Sequence, residues 1–88
     1  MTTATNAAPE EFGPEEAKRL EREIEELSRE HEALGKKIRE LNLNERPAEG
    51  VVYAQELHAA KHDKLRIETE ILLRRNRLRR HGWMSPDQ

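Results

Sequence analysis

Between residues 17 and 41 the apolar positions recur at alternating steps of three and four. Ala17, Leu20, Ile24, Leu27, His31, Leu34, Ile38 and Leu41 make one seam. Leu fills every d position of this heptad, and Ala17, Ile24, His31 and Ile38 fill the a positions. A stripe this narrow must pack against another helix, because alone in water it buries nothing. The seam therefore restricts the chain to helical packing architectures.

Composition narrows the choice further. Of 88 residues, 39% are charged, and there is one Trp, one Tyr and one Phe. A compact globular core needs more aromatic and branched bulk. A pair of long helices does not, since each buries only one stripe. High charge with few aromatics also fits disorder, but the regular heptad argues against that for the middle of the chain.

The helix limits follow from punctuation. Residues 1–13 read as a flexible N-terminal tail, with Phe12 placed to fold back on the first turn as a staple. Pro14 suits a first helical position, and Glu15 and Glu16 suit the positive end of the helix dipole. A first helix is expected over about residues 14–42, with Gly35 inside it costing about 1 kcal/mol against Ala. Two Asn, a Pro and a Gly within residues 42–50 mark a connection, with Leu43 placed to cap the seam there. A second helix is expected over about residues 52–80, with Val51, Val52 and Tyr53 either starting it or forming a short extended piece before it. Arg79, Arg80, His81 and Gly82 read as its end, and residues 83–88 as a C-terminal tail in which Trp83 and Met84 tuck back on the bundle.

The second helix carries two apolar tracks. One holds Tyr53, Leu57, Ala60, Lys64, Ile67, Ile71, Arg74 and Leu78; the other adds Ala54, Lys61, Leu65 and Leu72. Leu73 lies well away from both. The two helices match at about 28 residues, or about 42 Å. Residues 10–49 carry net charge −5 and residues 50–88 carry +3, so the halves attract when folded back. These features predict an all-α fold, an antiparallel helical hairpin over residues 14–82, assembling into a four-helix bundle or coiled-coil oligomer. One continuous parallel coiled coil, kinked at residues 42–50, is the competing architecture.

The candidate self-association or partner surface comprises Leu20, Ile24, Leu27, His31, Leu34, Ile38 and Leu41, with the surplus leucines Leu65, Leu72 and Leu73. His31 is the polar interruption of the seam, where register or pH sensitivity can reside. Arg74, Arg75, Arg77, Arg79 and Arg80 form an acid-free run suited to an anionic partner. In a hairpin this run lies beside Glu11, Glu15, Glu16, Glu21, Glu23, Glu25 and Glu26, and the plain expectation is that the arginines pair with those glutamates. His58 and His62 are four apart, but Ala59 stands where a metalloprotease helix has Glu, so no metal is expected. Neither a nucleophile–base arrangement nor a glycine-rich phosphate loop is present, so neither catalysis nor a cofactor is expected.

The stretch Glu30, His31, Leu34, Ile38 and Leu41, followed after a turn by Lys61, Lys64, Leu65, Glu70 and Ile71, resembles the small bacterial YdcH-like family of helical hairpins. The likeness spans about 40 residues, and the arginine-rich end and Gly82, Trp83 and Met84 depart from it. It implies a small hairpin and no known reaction.

Cysteine is absent, so there is no disulfide framework. No apolar run approaches 18 residues, and the opening residues lack the character of a secretory signal. A cytoplasmic, non-enzymatic interaction or scaffold protein is expected, forming a homodimer and binding a protein partner. The alternative is a small nucleic-acid-associated regulator using the arginine-rich end.

Overall fold

A computed structural model describes residues 12–83. The remaining parts of the two expected tails, residues 1–11 and 84–88 with Met84 among them, lie outside the described residues. Helix α1 spans Pro14–Asn44 and helix α2 spans Ala54–Arg80, joined by a short 3-10 turn at Pro47–Glu49. The two helices pack against each other as a hairpin. The continuous coiled coil is thereby set aside, because residues 45–53 reverse the chain.

Local chemistry explains each helix end. Helix α1 starts at Pro14, with Glu15 and Glu16 in its first turn, and the Ala17 N–H donates to the Gly13 carbonyl. It runs to Asn44, two residues past the expected end, and has no basic residue in its last turn. Arg46 from outside the helix takes that role, donating from Nη1 to the carbonyls of Leu43 and Glu45 at 3.1 and 3.0 Å. Leu43 is 75% exposed and does not cap the seam.

The connection is a closed loop. Arg46 and Val51 exchange backbone hydrogen bonds of 2.7 and 2.9 Å. Between them the chain turns through Gly50 at φ 77°, a left-handed conformation that disfavours any residue with a Cβ. Because Val51 is held in this bridge it cannot enter a helix, so α2 begins at Ala54 rather than near residue 52. The Glu45 carboxylate accepts from the Tyr53 N–H at 2.9 Å, satisfying a donor at the N-terminus of α2. Neighbouring residues Glu45 and Arg46 thus hold the ends of both helices.

The far end closes with a Schellman motif. Gly82, at φ 78°, donates to the Arg79 carbonyl, and Trp83 donates to that of Leu78. Phe12 does more than staple its own helix. It crosses to α2 and stacks on the His81 ring at 4.1 Å, with Trp83 at 6.3 Å and the Arg77 guanidinium 5.5 Å from its centroid. Beneath it lie Ala17, Leu20 and Leu78. Phe12, Gly13 and Trp83 therefore belong to the packed end of the hairpin.

Only one of the two α2 tracks faces α1. Leu57, Ala60, Ile67, Ile71 and Leu78 are buried, and Tyr53, Lys64 and Arg74 fill the intervening heptad positions half-buried. On α1 only Ala17 and Leu20 are fully buried. Ile24, Leu27, His31, Leu34, Ile38 and Leu41 remain half-buried, so a single partner helix does not finish covering the seam.

Gly35 does not mark a close backbone approach. A Cβ there meets the Arg39 guanidinium at 3.7 Å and the Lys64 stem at 4.0 Å, which is ordinary contact. Gly35→Ala is therefore expected to stabilise the hairpin by about 1 kcal/mol, read as a raised urea midpoint. A lowered midpoint contradicts the spacing described here.

Candidate interaction surface

The two broad sides of the hairpin differ. On one side, ion pairs link the helices. Arg74 Nε donates to Glu23 across the helices at 2.9 Å, held also by Glu70 of its own helix at 2.6 Å from Nη1, while Arg77 lies 3.5 Å from Glu16. The Arg74 hydrogen bond, with Arg19 adding to it, holds the Glu23 carboxyl below the usual carboxylate range. Glu70 and then Glu23 raise Arg74 in turn.

On the other side the seam lies open. A groove lined by Ser28, His31, Glu68, Ile71, Leu72 and Arg75 joins a second, lined by Ile38, Lys61, Lys64, Leu65 and Glu68, through the shared Glu68. A third, along α1 at Lys18, Glu21, Arg22, Ile24, Glu25 and Ser28, joins through Ser28. Together they form one trough floored by Ile24, His31, Ile38 and Ile71. Leu65 and Leu72 stand on its α2 lip, 62% and 53% exposed.

His31 bridges the trough floor. Its Nε2 lies 2.7 Å from the Glu68 carboxylate. An ionised carboxylate only accepts, so Nε2 carries the hydrogen and donates. This bond, with the charge of Lys64, lowers the Glu68 carboxyl. The polar interruption of the seam is thus satisfied by the facing helix, as a register-fixing residue would be.

These shifts set an acid limit. Glu23 and Glu68 both titrate below their ordinary value of 4.5 in the folded chain. Between the folded and unfolded values the unfolded chain binds more protons, so stability falls as pH drops below about 4.5. The urea midpoint is expected to decline from pH 5 to pH 3, and less steeply in Glu23→Gln/Glu68→Gln. Equal slopes in both proteins count against these pairs as the cause.

The structure divides the arginine run. Arg74 and Arg77 pair with glutamates of α1, as the hairpin expectation required, and Arg79 donates to Asn76 within α2. Arg75 and Arg80 are exposed and take no acidic partner among the described residues. The leucines divide as well. Leu65 and Leu72 stand two turns apart on one lip, whereas Leu73, 60% exposed, lies about 100° further round α2. The heptad alone did not reveal the aromatic cluster of Phe12, His81 and Trp83. Its signal was the Gly82 helix stop placed opposite the start of α1.

His58 and His62 are both exposed. Among the described residues, no group of three or more His, Cys, Asp or Glu side chains could hold a metal ion. No helix among them is long and apolar enough to cross a membrane. Fold and surface together define an all-α helical hairpin with one closed and one open side. Comparison with known protein families, characterised proteins and solved structures gives no match to this chain.

Proposed function

We propose that this chain is a non-enzymatic interaction module of the cytoplasm that pairs with a second copy of itself and presents a protein-binding surface. The observation that carries this reading is the half-covered seam of α1 beside the exposed Leu65, Leu72 and Leu73. A domain this small gains little from one internal stripe, and a second layer of helices supplies the missing cover. Leu73, on the back of α2 between exposed Arg66 and Arg80, is left for a protein partner with apolar and acidic groups. The YdcH-like resemblance is consistent with this reading, since it too implies a hairpin without a known reaction. The nucleic-acid alternative loses Arg74 and Arg77 to internal pairs, which leaves fewer arginines for phosphates. Sedimentation equilibrium across micromolar concentrations tests the reading: twice the 10.3 kDa chain mass is expected. A monomer throughout that range overturns it.

A further inference from the structure

The open trough differs from the closed side in needing a cover, and the chain itself carries a ridge that fits it. We propose that the trough docks onto the same trough of a second copy, α1 of each over α2 of the other, with both Arg46–Val51 turns at one end. This rests on the self-association proposed above and adds the face and the orientation.

The face follows from the contrast between the two sides. Glu16–Arg77 and Glu23–Arg74 already occupy the seam on one side. The other side has a floor of Ile24, Ile38 and Ile71 broken by the His31–Glu68 pair, and the exposed Leu65 and Leu72 on its lip. Two helices about 40 Å long and 10 Å apart present roughly 800 Å² per copy, the size of a standard stable interface.

The orientation follows from charge. Helix α1 carries nine acidic and seven basic residues, and α2 four acidic and eight basic. Two symmetric face-to-face arrangements exist. A two-fold axis perpendicular to the helices stacks α2 on α2, setting two strongly basic helices together. A two-fold axis parallel to the helices stacks α1 on α2, bringing opposite charges together, and charge of this kind selects orientation more than affinity. The parallel axis also keeps residues at their own height along the bundle. Within the hairpin Glu23 is level with Arg74 and His31 with Glu68. Arg75, exposed on the lip, therefore meets Glu21 and Glu25 of the second copy. Leu72 covers the half-buried Ile24 beside Ser28 there, and Leu65 lies over the stretch from His31 to Gly35.

The natural chain has no cysteine, so Ala48→Cys, in the exposed turn, carries one nitroxide label per copy. In the dimer a label separation below about 30 Å is expected with both turns at one end, against roughly 40 Å or more for opposite ends. A long separation in a protein of dimeric mass overturns the orientation and leaves self-association standing; a monomeric mass overturns both. Independently, Arg75→Glu is expected to raise the dimer dissociation constant about tenfold by setting like charges together twice per dimer. Glu21→Arg and Glu25→Arg in the same chain are expected to restore it. Failure of that restoration overturns the pairing of Arg75 with the second copy.

Discussion

A chain carrying Leu65→Glu and Leu72→Glu is expected to sediment as a monomer at concentrations where the parent is a dimer, with helix content unchanged. Both side chains are more than half exposed in the hairpin, so their loss removes little from its own core. In the proposed assembly each copy buries two leucines, worth about 1.5–3 kcal/mol apiece when fully covered. Four glutamates brought into one apolar interface must also lose their water. The dimer dissociation constant is therefore expected to rise at least about 100-fold, or about 2.7 kcal/mol. Leu73→Glu is the matched control, because Leu73 lies off the trough. It is expected to leave the mass unchanged. A double variant that remains dimeric refutes the trough as the interface, whatever the parent does.

Leu78→Ala is expected to lower the stability of the hairpin by about 2–5 kcal/mol. Leu78 is 1% exposed and packs with Ala17 and Leu20 beneath Phe12. Truncation opens a cavity at the point where the entering chain, α1 and the end of α2 meet. Small domains hold only about 5–15 kcal/mol in all, so much of the variant is expected to be unfolded at 37 °C. Leu73→Ala, five residues earlier but 60% exposed, is expected to change stability by no more than about 0.5 kcal/mol. Circular dichroism against urea measures both. Trp83 is the chain's one tryptophan and lies 6.3 Å from Phe12, so its emission follows this end directly. Equal losses for the two variants contradict the assigned burial.

Much of the fold was legible because its determinants are local. The alternating steps of the α1 seam required a partner helix. Pro14, Glu15 and Glu16 placed one helix start, and Gly82 placed the other helix's end. Spacing gave α2 two apolar tracks that together make a wide stripe, and only the one through Leu57, Ala60, Ile67, Ile71 and Leu78 is buried. The errors arose where distant groups compete with local preference. Val51, Val52 and Tyr53 read either as a helix start or as a short extended piece, and the bridge to Arg46, which holds Val51 outside the helix, favours the second. Leu43 read as a cap for the seam, yet the chain turns away and leaves it in water. Phe12 read as a local staple, but His81 and Trp83 were within its reach across the hairpin.

The candidate surface was legible only as a surplus. Leu65, Leu72 and Leu73 exceed what one facing helix can cover, and spacing shows that much. Spacing does not show which side stays open. That depends on which glutamates and arginines meet across the seam. Arg74 and Arg75 are neighbours in the chain, yet one pairs with Glu23 on the closed side and the other stands over the trough. A rotation of 100° separates them.

By itself the sequence determined two long amphipathic helices and the turn between them, because periodicity, proline, glycine and terminal charge act within a few residues. It also determined that His31 interrupts the seam. The tertiary structure decided that Glu68 satisfies His31, that Arg74 and Arg77 close one side, and that the other side is left as a trough. Those outcomes depend on the register between helices, which sets groups dozens of residues apart at the same height. No local pattern fixes that register; the packing of α1 on α2 does.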